Sequence, residues 1–309
     1  MPDLTVLVLA SERAEAIVEL YRETRAIFQS TGMVVEYVFA LEPWFANLAE
    51  DIRKTKAPED QVEILVSAHR MGETGLVRMA LPHCRAPRLL ILPAYQRVAP
   101  QSLPSLARAL DQADLVVARR WPRNDSFINR LQSRVFHRVT GWVTGIRLRD
   151  IGSGVRAVRR EVLEDVPLYG DLYRFLPVLA ARDGFRVSEE DSVQHPADTR
   201  TRVYRPAVYL RRALDLLGLY FLVRFTEKPL RFFGLIGAVL ALVGGLVLLV
   251  VLLQKVGGQG IADRPMLLLG VLFFVLGVQA VALGLIGEII VHIHAARYRR
   301  YRVARSDGA

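Results

Sequence analysis

Two runs near the end of the chain constrain it most. Phe232 to Leu253 contains no charged residue, and Met266 to Gly287 carries only Gln279 as a strongly polar side chain. Each exceeds the ~18 uncharged residues that mark a membrane-spanning helix at a rise of about 1.5 Å per residue. Core helices of soluble proteins rarely run so long without a charged face. The short polar stretch Gln254 to Pro265 joins the runs, so the pair reads as a helical hairpin. Glycines at 234, 237, 244 and 245 in the first run, and at 270, 277 and 284 in the second, permit close helix approach.

The flanks set an expected orientation. Arg211, Arg212, Arg224, Lys228 and Arg231 precede the first run, and Arg297, Arg299, Arg300, Arg302 and Arg305 follow the second. The turn between holds only Lys255 and Arg264, beside Asp263. The positive-inside rule then places both termini in the cytoplasm. Met1 to Ala10 has neither a basic leader nor a cleavage site, so no signal peptide is expected. The net charge of +10 is thereby explained by membrane topology, and nucleic acid is not needed as a partner. The single cysteine, Cys84, excludes a disulfide framework.

Ahead of the hairpin, Tyr209 to Phe225 places Leu and aromatic residues at helical spacing with Arg211, Arg212 and Arg224 interspersed. Either a helix lying in the membrane interface or one packed on the preceding domain fits this pattern. The first 200 residues alternate. Strands are expected at 4–10, 34–41, 62–66, 89–92 and 114–118, and helices at 12–29, 45–54, 74–81 and 102–112. That alternation predicts an α/β domain with a mainly parallel sheet, whose ligands bind beyond the carboxyl ends of the strands.

The second half of this region carries a resemblance. Asp150, Ser153, Gly154 and Arg156 form an Asp-x-x-Ser-Gly-x-Arg element; Arg174, Phe175 and Pro177 form Arg-Phe-x-Pro; Arg119 and Arg120 close the fifth strand. In this order, ahead of a membrane hairpin, the chain resembles the inverting family-2 glycosyltransferases that attach a sugar to a polyprenyl phosphate, the dolichyl-phosphate-mannose-synthase-like group. The resemblance implies a glycosyltransferase-A-like domain at 1–203, an amphipathic interface region at 204–229, two transmembrane helices (232–253 and 266–287) within 230–290, and a basic tail at 291–309. It also implies a bacterial inner-membrane location and an oligomer, either of like chains or with an active relative.

The first half departs from the family pattern. The turn after the first strand keeps only Glu12 of Pro-x-Tyr-Asn-Glu. Leu41-Glu42-Pro43-Trp44 stands where Asp-Asp-Gly-Ser grips the nucleotide, and Pro93-Ala94-Tyr95 where Asp-x-Asp holds the cation. Glu12, Glu42, Gly72 and Tyr95 are the expected remnants of a donor site. With no carboxylate after the fourth strand, no metal cofactor is expected, and arginine would meet the donor's diphosphate. His69, Arg70, Arg88 and Arg97 lie near this rim, as functional groups or as ordinary surface charges.

On the acceptor side, Arg119, Arg120, Arg123, Ser153, Arg156, Arg200 and Arg202 are expected to bind the lipid phosphate, because clustered arginine recognises phosphate bidentately. Asp150 is either an active-site acid, the one catalytic candidate, or a cap for the turn that follows it. His292 and His294 point apart on a helix and do not suggest a metal site. Two functions follow. The chain transfers a sugar from a nucleotide-sugar to polyprenyl phosphate, or it is a silent relative that binds polyprenyl phosphate, or another anionic lipid, and partners an active paralogue. The altered donor motifs make the nucleotide-sugar the weaker of the expected partners.

Overall fold

The computed structural model describes residues 1–122, 141, 148–168, 170, 172–198, 229–257 and 265–295. The chain divides into two compact units, one built on a sheet near its start and one on a pair of long helices. The sheet has seven strands in the order β3-β2-β1-β4-β6-β5-β7. These are β1 (Leu4–Ala10), β2 (Val35–Leu41), β3 (Gln61–Val66), β4 (Arg88–Pro93), β5 (Leu115–Arg120), β6 (Arg156–Arg159) and β7 (Val187–Ser192). All neighbouring pairs are parallel except those of β6, which runs antiparallel to both β4 and β5.

The sequences of these strands explain their places. Every residue of β1 is buried, as is nearly every one of β2 and β4, so these central strands read as continuous apolar runs. Burying each Val, Leu or Ile side chain there contributes about 1.5–3 kcal/mol. The edges are different. β3 is only half-buried, and β7 (VSEEDS) carries three carboxylates along the outer edge, where charge discourages pairing with a further strand.

Flanking helices include α1 (Ile17–Gln29), α2 (Leu48–Thr55), α3 (Gly72–Ala80), α4 (Leu103–Ala109), α5 (Arg160–Asp165) and α6 (Leu176–Arg182). In α1, Ile17, Leu20, Tyr21, Thr24 and Phe28 recur at helical spacing and face the core. The expected helix over 12–29 is shorter than its periodicity suggests. Residues 11–16 form a loop instead, which leaves Glu12 and Arg13 at the carboxyl end of β1.

In the other unit, α7 (Pro229–Val256) and α8 (Pro265–Ala295) are long and apolar enough to cross a membrane. Both extend beyond the uncharged runs at each end. They pack as a hairpin through small residues. A Cβ at Gly244 would lie 2.4 Å from the Phe274 backbone nitrogen, and one at Gly277 would lie 2.4 Å from that of Ala241. Only glycine allows such backbone contact. At one end, the Leu230 amide donates to Glu288 Oε2 at 3.3 Å, so the acidic residue accepts one of the unpaired amides at the start of α7. Most of the outward apolar surface is exposed, as lipid contact requires.

Candidate functional site

In a sheet of this order the ligand crevice opens beyond the carboxyl ends of β1 and β4, where the chain's crossovers diverge to opposite sides. Tyr95 lies just past β4 at this point. Two guanidinium groups lie close to its ring, Arg13 4.9 Å and Arg97 5.2 Å from the centroid. Arg13 is exposed and pairs with Glu15 at 3.1 Å, whereas Arg97 is buried.

Beyond β2, Glu42 is fully buried. Its carboxylate accepts hydrogen bonds from the amides of Met71, at 3.0 Å, and Gly72, at 2.7 Å. Two unpaired amides at the start of α3 are thereby satisfied, and negative charge at that end is favoured by the helix dipole. Gly72 has a φ of +68°, a conformation that L side chains adopt at a cost. Glu42 and Gly72 thus shape the turn into α3. The next residue, Glu73, feels the charges of Arg156, Arg174, Glu12 and Arg97. Burial raises its carboxyl above the usual range, against the pull of the arginines.

Beyond β5 lies a buried ion network. Arg120 donates bidentately to Asp150, with Nε to Oδ2 at 2.8 Å and Nη2 to Oδ1 at 2.9 Å, and reaches Asp198 through Nη1 at 2.8 Å. Arg97 joins the same Asp198 carboxylate at 3.1 Å and donates to the carbonyls of Ser153 and Gly152. The four side chains are almost fully shielded from water. Paired carboxylates hold the Arg120 guanidinium even more firmly protonated than usual, despite its burial. Removing one member of such a network costs about 3–5 kcal/mol, because a buried charge loses its partner.

The remaining acceptor candidates occupy distinct settings. Arg156 is buried and donates to the backbone carbonyls of Tyr173, Ile151 and Arg174, with its guanidinium 4.6 Å from the Tyr173 ring centroid. Ser153 is buried in a tight turn, Ile151–Ser153, whose following residue Gly154 has a φ of +76°. Arg119 is half-buried, paired with Asp191 at 2.8 Å and stacked over Trp121. Arg123, Arg200 and Arg202 lie outside the described residues, as does the interface segment 209–225.

The structure therefore brings Asp150, Arg120, Arg97 and Ser153 into one buried assembly, with Arg156 bonded to the same turn at Ile151 and with Glu12 and Tyr95 past the ends of β1 and β4. Sequence reasoning missed four members. Asp198 has no motif around it. Glu73 is noticed only once Gly72 is seen to begin a helix, and Arg13 only once residues 11–16 are seen to form a loop. Glu189, on an edge strand with no apolar pattern, accepts from the amides of Arg149 and Asp150 at 2.6 and 2.8 Å and fixes that loop.

No family model matches the chain. It is 27% identical to the dodecaprenyl-phosphate galacturonate synthase of Rhizobium johnstonii, over 86% of this chain and 85% of that one. To the undecaprenyl-phosphate 4-deoxy-4-formamido-L-arabinose transferase of Edwardsiella ictaluri it is 28% identical, over 94% and 89%. Among solved structures, glucosyl-3-phosphoglycerate synthase from Mycobacterium tuberculosis, in complex with Mn²⁺, UDP and phosphoglyceric acid, superposes with a TM-score of 0.52 at 14% identity, covering 71% of this chain and 78% of that one. The same enzyme with Mg²⁺ and UDP gives 0.50 at 13% identity, covering 71% and 79%.

The expectation of no metal cofactor is overturned by this neighbour of the same fold, which is seen with Mn²⁺ or Mg²⁺ together with UDP. The error lay in equating the metal site with one motif. Among the described residues no three His, Cys, Asp or Glu side chains come together as a metal cage. A magnesium ion at a nucleotide site needs no cage, because one or two carboxylates and the phosphates suffice. At the crevice, Glu12 and Glu73 are carboxylates whose charges bear on each other.

Proposed function

For a homologue of the family-2 polyprenyl-phosphate glycosyltransferases, built on the glycosyltransferase-A fold, we propose transfer of a sugar from a nucleotide-sugar to a polyprenyl phosphate, with inversion. The observation that carries this reading is the near-complete span of the similarity to two polyprenyl-phosphate sugar transferases, hairpin included. A silent relative is not supported over it.

In the reaction, an acceptor phosphate oxygen attacks the anomeric carbon, and the bond to the diphosphate breaks with its electron pair leaving on the nucleoside diphosphate. The phosphate is already anionic at neutral pH, so a general base contributes little. Asp150, both of whose oxygens are held by Arg120, then acts by fixing the end of β5 and the turn after it. Arg97 and Arg120 form the rigid wall of the site, and Arg13, Arg70 and Arg174 are exposed cations with surface to offer phosphate. A divalent cation held by Glu12, Glu73 and the donor would neutralise the leaving diphosphate. The arginine-rich flanks of the helix pair support both termini on the cytoplasmic side, with the turn between α7 and α8 outside.

The test is a transfer assay with purified protein in detergent, undecaprenyl phosphate, and UDP- and GDP-sugars, with Mn²⁺ or with EDTA. Formation of a lipid-linked sugar is expected. Absence of any product from these donors by protein that binds undecaprenyl phosphate would reject the reading.

A further inference from the structure

Outside the helix pair, two large aromatic side chains among the described residues stand exposed just past strand carboxyl ends, Trp44 after β2 and Trp121 after β5, and of these Trp44 lies on the loop that Glu42 ties to the start of α3. Trp44 follows β2 directly and is 51% exposed. Leaving indole in water forgoes the contribution that burying a large aromatic ring would make. Arg70, in the loop between β3 and α3, holds its guanidinium 5.9 Å from the Trp44 ring centroid. Phe45 packs edge-on against the same ring, with centroids 6.1 Å apart.

The two loops that carry this pair are tied together from beneath. The Glu42 carboxylate bonds the amides of Met71 and Gly72, the Ser67 amide donates to the Leu41 carbonyl at 2.9 Å, and the Ser67 hydroxyl donates to the His69 carbonyl at 2.9 Å. Trp44 and Arg70 therefore form a platform fixed by buried bonds on either side, with open ring surface above. A flat π system with an attached anion suits such a platform. The ring accepts stacking, and the arginine offers charge.

We infer that Trp44 is the stacking surface for the nucleobase of the donor, replacing recognition by an acidic loop with recognition by an aromatic one. The inference rests on the donor reading given above. Stacking is tolerant of base identity, so the chain discriminates bases less sharply than a loop that reads hydrogen-bonding edges.

The experiment measures binding of UDP, GDP and inorganic pyrophosphate, with Mn²⁺ present, to wild type, W44A and W44F by equilibrium dialysis, with undecaprenyl phosphate binding as a control. Loss of base stacking should raise the nucleotide Kd of W44A roughly 5- to 150-fold. W44F should stay near wild type, and pyrophosphate affinity should be unchanged in both. Wild type that binds nucleotide, with W44A binding it equally well, would overturn the inference and leave the transferase reading intact. Equal weakening of nucleotide and pyrophosphate would also overturn it, by showing that Trp44 only shapes the loop. If wild type binds undecaprenyl phosphate and no nucleotide, the donor reading and this inference fall together.

Discussion

At the scale of single residues, the site is governed by which charges are compensated. Arg120, Arg97, Asp150 and Asp198 satisfy one another in the dry interior. Glu73 is different, because desolvation dominates over its arginine neighbours and its carboxyl is raised. A carboxyl with a raised pKa in the folded state opposes folding once the pH exceeds that folded value. The penalty fades as pH falls toward the unfolded value near 4.3. E73Q is therefore expected to raise the melting temperature at pH 8 in the absence of divalent ions, with the gain shrinking as pH is lowered toward 4.5. Thermal scans across that range check it, and a uniform or reversed effect would show that the arginines outweigh burial. Cys84 is also raised, to about 12, by burial, which keeps it an inert thiol.

Among elements, the end of β2 and the start of α3 are coupled through one side chain. Glu42 leaves the strand and bonds two amides of the helix, so the donor-side loop moves with α3. E42A removes both bonds and leaves buried amides unpaired, at a cost of about 1–3 kcal/mol each. The expected outcome is faster amide hydrogen exchange at Met71 and Gly72, with exchange in β1 and β4 little changed. Equal loss of protection in the central strands would mean that Glu42 supports the whole sheet. The elements themselves were unequally legible. Strands β1 to β5 announce themselves as apolar runs between polar segments. β6 is four residues long with arginine at both ends, and β7 carries charge along an edge. Neither shows an apolar run in its sequence, because pairing places them, β6 between β4 and β5 and β7 beside β5.

For the whole molecule, the asymmetry of arginine about the hairpin makes orientation testable. In a C84A background, a cysteine replacing Lys255 should react with a membrane-impermeant maleimide on intact spheroplasts. One replacing Ser306 should react only after permeabilisation. The opposite pattern would invert the assigned topology.

The hairpin was decided by the sequence alone, since a long uncharged run has few stable homes outside a bilayer and flanking arginine resists crossing one. So was the alternation that builds a mostly parallel sheet, because periodicity is a local property. The site was not. Asp198 meets Arg97 from 101 positions away and Arg120 from 78, and no local pattern records such a meeting. The motif residues Arg120, Asp150 and Arg156 were visible as a group. That Arg120 is held by two carboxylates, and Arg156 by three carbonyls, emerged only when folding had removed water and left each charge to find its partner among the groups brought beside it.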